Sequence, residues 1–138
     1  MIDIDHFKLY NDNLGHPEGD ACLRSIAQLL SSCLRQPVEQ VARYGGEEFV
    51  VLLTHADAQA GALVAQRCLQ AVASAELTHP CSPVGPHVTL SIGVASLVAT
   101  PELLPAQLVQ AADAALYQAK RQGRARWVVA GADTQAQP

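Results

Sequence analysis

Two short acidic segments carry the residue types that could do chemistry in this sequence. Asp3 and Asp5 stand where a short apolar run gives way to a helical pattern. Glu47 and Glu48 follow two glycines and precede a second apolar run. Clustered carboxylates repel one another unless a cation pairs with them, and hard divalent ions such as Mg²⁺ prefer oxygen ligands. The two segments therefore predict a cation site, provided that the fold brings Asp3 and Glu47 together.

The charge distribution supports this interpretation more than the net charge does. The 138 residues carry 13 acidic and 9 basic side chains, and eight of the acids lie within the first 48 residues. A solvated acidic face is the plainer interpretation of this bias. A formal charge of −4 and an aromatic content of 4% both argue against general nucleic-acid binding, which needs basic patches or stacking surfaces.

The acidic residues need not act in pairs. Adjacent residues of a strand point to opposite faces, so Glu47 and Glu48 cannot share one role equally. Asp5 stands at the predicted start of a helix, where a carboxylate caps the first turn, and this structural role is the prediction for it. Gly45 and Gly46 predict a tight type I′ hairpin turn, and they let a ligand approach the backbone closely.

Hydrophobic periodicity predicts the elements that must position these residues. Helical spacing covers four segments: 5–14, 17–35, 56–77 and 105–121. Strand patterns cover five: 1–3, 38–44, 47–54, 88–94 and 127–129. The run at 49–53 is apolar on both faces, which predicts a central strand covered on both sides. The order βααββαβαβ predicts an α/β domain with one sheet flanked by helices, an α+β sandwich.

Length and composition set the class of protein. The length suits one domain, and 49% apolar residues exclude a disordered chain. No apolar run is long enough to cross a bilayer, and no signal peptide is evident, which predicts a cytoplasmic domain without a membrane segment. The cysteines lack CxxC spacing and are interpreted as small buried residues, not as zinc ligands or disulfides; they are Cys22, Cys33, Cys68 and Cys81.

Four segments together resemble the GGDEF domain, the family of diguanylate cyclases that make cyclic di-GMP from two GTP. They are DIDHFKLYNDNLGHPEGD at 3–20, RYGGEEF at 43–49, VTLSIGVAS at 88–96 and ADAALYQAKRQGR at 112–124. They follow the family's order and spacing through nearly the whole chain. The resemblance implies a central sheet like that of nucleotidyl cyclases and polymerase palm domains.

The same resemblance implies roles for individual residues. Two Mg²⁺ or Mn²⁺ per half-site are expected at the carboxylates of Asp3 and Glu47 and at the backbone carbonyl of Ile4. Glu47 also matches the general base toward the 3′-hydroxyl, with Glu48 close to the metals. The other matched positions bind substrate: a phosphate cradle (Phe7, Lys8), a guanine site (Asn11, His16, Asp20), the hairpin glycines (Gly45, Gly46) and cations for the triphosphate (Lys120, Arg124).

The resemblance also implies partners. Each domain would hold one GTP, so the bond to form cyclic di-GMP requires a homodimer, and a regulatory sensor domain is expected on the full-length protein. The alternative is a catalytically silent GGDEF domain that binds GTP or cyclic di-GMP; the intact GGEEF block favours the enzyme. Another palm-type nucleotidyl cyclase is disfavoured by the same block and by Asp20.

Besides Ala125, which replaces the Asn usually found after GR, the sequence departs from the family at two places. Many members carry an RxxD inhibitory site for the product; Gln36 and Glu39 occupy those positions here, and Arg35 lies one place early. Because a guanidinium pairs with phosphate through two hydrogen bonds, its loss predicts weak or absent product inhibition.

The second departure concerns the N-terminus. The family's domain normally begins earlier, with a helix that carries an LTGLPNRR-like motif and with the rest of the first strand. The prediction is an N-terminally truncated GGDEF domain over 1–130 and a flexible tail over 131–138. The strand that presents Asp3 would be short, and part of the sheet would lack a partner.

Overall fold

The computed structural model describes residues 1–131 and contains five strands and four helices in the predicted order. The elements are β1 (Ile2–Ile4), α1 (Phe7–Leu14), α2 (His16–Ser32), β2 (Glu39–Gly45), β3 (Glu48–Leu53), α3 (Ala58–Ala75), β4 (Leu90–Val94), α4 (Pro105–Arg121) and β5 (Trp127–Val129). The predicted α/β class is confirmed. Apart from Gly131, the predicted C-terminal tail lies outside the described residues.

The short first strand is the centre of the sheet. The strand order is β2-β3-β1-β4-β5, in which β4 and β5 are parallel and the other pairs are antiparallel. β3 lies between β2 and β1, as predicted for a central strand, but it is not covered along its whole length, since residues 50–53 pair with β2 alone and Leu52 is 52% exposed. An apolar run indicates a strand, but its place in the sheet depends on pairing with segments remote in sequence.

Helices cover both faces of the sheet. α1, α2 and α3 pack around a core that includes Ile2 and Ile4 of β1. α4 lies on the opposite face, where Leu116 packs with Met1. Because successive strand residues point to opposite faces, Asp3 shares the α4 face with Met1.

The helix ends follow from turn and capping residues. Gly15, with φ 89°, separates α1 from α2, and Pro17 occupies the first turn of α2 as predicted. α2 ends at Ser32, before the predicted Arg35. The Asp57 carboxylate accepts the Ala60 N–H at 2.8 Å, so α3 begins after this cap. None of the helices within residues 1–131 has the length and apolar character needed to cross a membrane.

The cysteines follow the prediction in part. Cys22 and Cys68 are buried in the core, and burial raises the pKa of their thiols to about 11 and about 12. Both thiols therefore stay protonated at neutral pH. Cys33 is half-buried and Cys81 is exposed, so Cys81 differs from the predicted buried role.

Gly93 of β4 explains part of the 88–96 motif. A Cβ at this position would collide with the backbone of Ala112 and Leu116 in α4. We expect Gly93→Ala to lower the free energy of unfolding by about 2 kcal/mol or more, because α4 must move away from the sheet. Urea unfolding measures this.

Gly85→Ala is the matched control, because a Cβ there meets nothing within 4 Å. Its stability should change by no more than about 0.5 kcal/mol. Equal losses in the two variants would contradict the close approach of α4 to β4.

Candidate functional site

The two acidic segments meet at the end of the central strand. Asp3 lies opposite Glu48 in the register of β1 with β3. The Ile4 N–H donates to the backbone carbonyl of Glu47 at 3.3 Å. Glu47 and Glu48 are both half-buried. The fold therefore brings Asp3, Ile4 and the hairpin acids to one place, as the predicted cation site requires.

The hairpin turn differs in detail from the prediction. Gly45 pairs with Glu48, so the two loop residues are Gly46 and Glu47. Gly46 has a φ of 52°, whereas Gly45 is not in the left-handed region, so a type I′ turn built on both glycines is wrong. The register shift between Arg43 and Gly45 moves the loop by one residue. Glu47 thus lies in the loop itself, where the glycines leave its surroundings open.

Asp3 combines burial with an ion pair and a shifted pKa. It is 7% exposed, and its Oδ2 pairs with Nζ of Lys120 at 2.9 Å. Burial is the main cause that raises the pKa of Asp3 above its ordinary value; Lys120 opposes this rise, and the charges of Glu47 and Glu48 add to it. The raised pKa means that one lysine does not offset the cost of burying this carboxylate beside two others.

The oxygen donors suit a hard divalent cation. Within residues 1–131, no three Asp, Glu, His or Cys side chains are grouped closely enough to enclose a metal ion. Mg²⁺ is commonly held by one or two carboxylates, with water and substrate phosphates as its other ligands. Asp3, Glu47 and the Ile4 carbonyl therefore fit an ion that binds together with a nucleotide. A second positive charge beside Lys120 would also relieve the repulsion among the acids.

Asp5 does not cap α1, and that prediction is wrong. The helix begins at Phe7 without a side-chain cap. Asp5 is 1% exposed, and its carboxylate accepts hydrogen bonds from Thr89 Oγ1, Ser91 Oγ and the Ala125 N–H. These donors come from β4, from Thr89 just before it and from the segment after α4, and the local sequence around Asp5 does not reveal them.

Phe7 and Lys8 lie in the first turn of α1, next to the acidic cluster. Phe7 is buried, and its ring stacks on Tyr10 with 5.9 Å between the centroids. Lys8 is exposed. The Phe7 side chain therefore belongs to the core, and a ligand at this turn would meet backbone N–H groups and the Lys8 ammonium.

Asn11, His16 and Asp20 lie around the α1–α2 junction. Oδ1 of Asn11 is buried without a hydrogen-bond partner among the described residues, and it lies against Gly19, where a side chain would not fit. His16 begins α2 and is exposed. Asp20 is exposed on a cleft of ≈ 380 Å³ that Arg24 also lines. The unpaired oxygen of Asn11 and the exposed carboxylate of Asp20 can each accept hydrogen bonds from a ligand.

Lys120 and Arg124 do not share a helix face as predicted. α4 ends at Arg121, and Arg124 lies in the following turn with a φ of 63°. Burial, and next the positive charge of Arg124, lower the pKa of His6. The Arg124 guanidinium therefore lies near the start of α1, while Lys120 is occupied by Asp3.

The degenerate inhibitory site is separate from the acidic cluster. Glu39 begins β2, at the end of the strand opposite the hairpin. It accepts the Arg35 N–H at 2.7 Å and pairs with Arg67 at 3.8 Å. Gln36 donates to the Ser31 hydroxyl. Both residues are thus engaged within the chain.

Comparison with known proteins supports the same family throughout. Residues 1–126 match the family model "Diguanylate cyclase, GGDEF domain". Diguanylate cyclase A of Treponema denticola is 41% identical over 126 residues, which are 91% of this chain and 33% of that protein. The chain thus spans a third of this relative's length.

Two solved structures share the fold. The GGDEF domain of DgcB from Caulobacter crescentus, in complex with c-di-GMP, has a TM-score of 0.80 and 35% identity, covering 94% of this chain and 74% of that chain. The active GGEEF domain of a diguanylate cyclase from Vibrio cholerae has a TM-score of 0.78 and 36% identity, covering 94% and 79%. These likenesses confirm the predicted palm-like sheet flanked by helices.

The raised pKa of Asp3 predicts a pH-dependent stability cost. The folded state holds this proton more tightly than the unfolded chain, whose pKa is near 3.8. The contribution of Asp3 to stability is therefore present below that value and lost as the pH rises through the raised pKa of the folded state. We expect the stability of Asp3→Asn relative to the parent to increase as the pH rises above about 4.

Urea unfolding at several pH values measures this gain. Asp12→Asn removes an exposed carboxylate on α1 and controls for the change in net charge. A relative stability of Asp3→Asn that falls with rising pH would contradict the assignment.

Proposed function

The chain belongs to the GGDEF domain family, and on that premise we propose that it is a diguanylate cyclase domain. It would join two GTP into cyclic di-GMP with release of pyrophosphate. The observation that carries the proposal is the meeting of Asp3 with Glu47 and Glu48 at the end of β1, next to Lys120. Such a cluster of carboxylates can hold the divalent cations that balance phosphate charge in phosphoryl transfer.

Asp3, Glu47 and the Ile4 carbonyl are the residues that would hold Mg²⁺ or Mn²⁺, two ions per half-site. When bound, such ions would stabilise the attacking and leaving oxygens of the phosphoryl transfer. Lys120 now neutralises Asp3. In the nucleotide complex its ammonium is proposed to face the triphosphate.

The chain's own groups would position the nucleotide. Asp20 and the unpaired Oδ1 of Asn11 can accept hydrogen bonds from guanine N1–H and its 2-amino group. N–H groups of the first turn of α1, together with Lys8 and Arg124, would hold phosphate oxygens. Glu47 would accept the proton of the 3′-hydroxyl as general base, with Glu48 beside it. His16, exposed at the α1–α2 junction, would lie at the edge of the guanine site.

Catalysis is proposed to need two copies of the domain, because each copy offers one nucleotide site and two GTP must face each other. The sensor domain expected on the full-length protein would then control how the copies meet. Feedback by the product through Gln36 and Glu39 is not expected. Glu39 is negatively charged and already paired with Arg67, so it offers nothing to a phosphate.

The first experiment measures cyclic di-GMP formation from GTP and Mg²⁺ at several protein concentrations. Activity should rise faster than linearly with concentration, since the reacting species is a dimer. Glu47→Ala should lose activity by about a hundredfold or more, because the general base is gone. Glu102→Ala, which removes an exposed acid after β4, should retain it.

GTP binding without product at every concentration would instead support the catalytically silent domain. Failure to bind GTP at all would reject both interpretations.

The second experiment tests base selection. Adenine lacks the N1–H and 2-amino donors that Asp20 and Asn11 would accept, and its N1 would face a carboxylate. We expect GTP to be preferred over ATP by about a hundredfold or more in kcat/KM. Asp20→Ala should reduce this preference, whereas Asp12→Ala should not. Comparable turnover of ATP by the parent would contradict the guanine site.

A further inference from the structure

A buried hydrogen-bonded cluster around Asp5 has no part in the chemistry proposed above. Oδ2 of Asp5 accepts from Thr89 Oγ1 at 2.7 Å and from the Ala125 N–H at 3.1 Å. Oδ1 accepts from Ser91 Oγ at 2.7 Å. Asp5 is 1% and Ser91 is 0% exposed. Two polar residues of the 88–96 motif thus serve this one carboxylate.

The cluster ties together three segments that are distant in sequence. Its donors lie 84, 86 and 120 residues from Asp5: Thr89 just before β4, Ser91 on β4 and Ala125 after α4. Ion pairs within residues 1–131 involve Asp3 and Glu39 but not Asp5. The carboxylate is therefore stabilised by hydrogen-bond donors, and such charge-assisted bonds are stronger than neutral ones.

The turn that donates the hydrogen bond from the Ala125 N–H has an unusual backbone. Gly123, Arg124 and Ala125 follow one another with φ values of 111°, 63° and 49°. Left-handed conformations are unfavourable for residues with a side chain and persist only where surrounding contacts enforce them. Arg124 N–H donates to the Ala119 carbonyl at 3.0 Å, and Ala125 N–H donates to Asp5. Within the turn, Arg126 Nε also donates to the Arg124 carbonyl at 3.0 Å.

We propose that Asp5 is a positioning residue that fixes the turn after α4 and thereby directs Arg124 toward the triphosphate. The inference rests on the proposed function, in which Arg124 contacts phosphate. It is supported by the hydrogen bond to Asp5 from the N–H of Ala125, the residue that directly follows Arg124. The Asp5 carboxylate would then connect the end of β1, which carries Asp3, to Arg124, the cation that contacts the substrate's phosphates.

The direction of the change in triphosphate affinity distinguishes positioning by Asp5 from a simple effect of its charge. Removing a buried negative charge near a polyanion site would by itself strengthen the binding of a triphosphate. Releasing the Arg124 turn would weaken it. A loss of triphosphate affinity in an Asp5 variant therefore indicates positioning, because the change of charge acts in the opposite direction.

The test compares two nucleotides that lack the attacking hydroxyl and differ in their two terminal phosphates, 3′-deoxy-GTP and 3′-deoxy-GMP. Their dissociation constants are measured with Mg²⁺ by calorimetry. Asp5→Ala should weaken the binding of 3′-deoxy-GTP by about tenfold and the binding of 3′-deoxy-GMP by less than about twofold. Asp5→Asn, which offers one acceptor oxygen instead of two, should show a smaller loss in the same direction.

A double-mutant cycle tests whether the effect passes through Arg124. Adding Asp5→Asn to Arg124→Ala should cause no further loss of 3′-deoxy-GTP affinity, because the group that Asp5 positions is already absent. Additive losses would overturn the proposal. Equal losses of affinity for the two nucleotides, which leave the ratio of their dissociation constants unchanged, would also overturn it. Tighter binding of 3′-deoxy-GTP by Asp5→Asn would overturn it as well.

Asp57→Ala is the matched control for lost stability. It removes an exposed hydrogen bond that another aspartate accepts from backbone, the cap on the Ala60 N–H of α3. It should lower the unfolding midpoint and leave the ratio of the two nucleotide affinities unchanged. If Asp5→Ala does not fold, Asp5→Asn decides the question alone.

A readout without nucleotide separates this proposal from the proposed function. Hydrogen exchange of the Ala125 amide should be faster in Asp5→Asn than in the parent, while the Gly93 amide, which donates to the Met1 carbonyl, keeps its rate. If the parent binds neither nucleotide, the proposed function is wrong. If it binds both and the Ala125 amide is unaffected, the positioning role is wrong.

Discussion

The structure depends on keeping two carboxylates, Asp3 and Asp5, buried at one end of its central strand. A buried carboxylate is costly unless a cation or several donors meet it. Asp3 has one ammonium group, and Asp5 has two hydroxyls and a backbone N–H. The two solutions differ in kind. Asp5 is fully satisfied within the chain, whereas Asp3 keeps a raised pKa and remains suited to a further cation.

The need to stabilise these two buried carboxylates constrains the elements around β1. The partners of the two acids lie on β4, on α4 and in the turn after α4, so the sheet order and the placement of α4 must both be right. Gly93 allows α4 to approach the sheet at backbone distance. That approach puts Lys120 within 2.9 Å of Asp3. A residue that seems to serve packing alone therefore also sets the electrostatics of the site.

Much of the fold followed from local patterns, and the errors share one cause. The element order, the bounds of α4 and the strand at 127–129 were predictable because periodicity and helix-ending residues act within a few positions. The complete coverage of 49–53, the cap role of Asp5 and the shared face of Lys120 and Arg124 were wrong. Each depends on a partner far away in sequence, and the one signal for Asp5 was the alternation of Thr89 and Ser91 in an apolar strand.

By itself, the sequence determined the family, the class of fold and the residue types of the site, because motifs, spacing and periodicity are properties of the chain. Only the tertiary structure decided which groups share charge and hydrogen bonds. It paired Asp3 with Lys120, enclosed Asp5 among three donors and moved Glu47 into the hairpin loop. The physical reason is that burial and register arise from contacts between remote segments, and these set the free energy of each carboxylate.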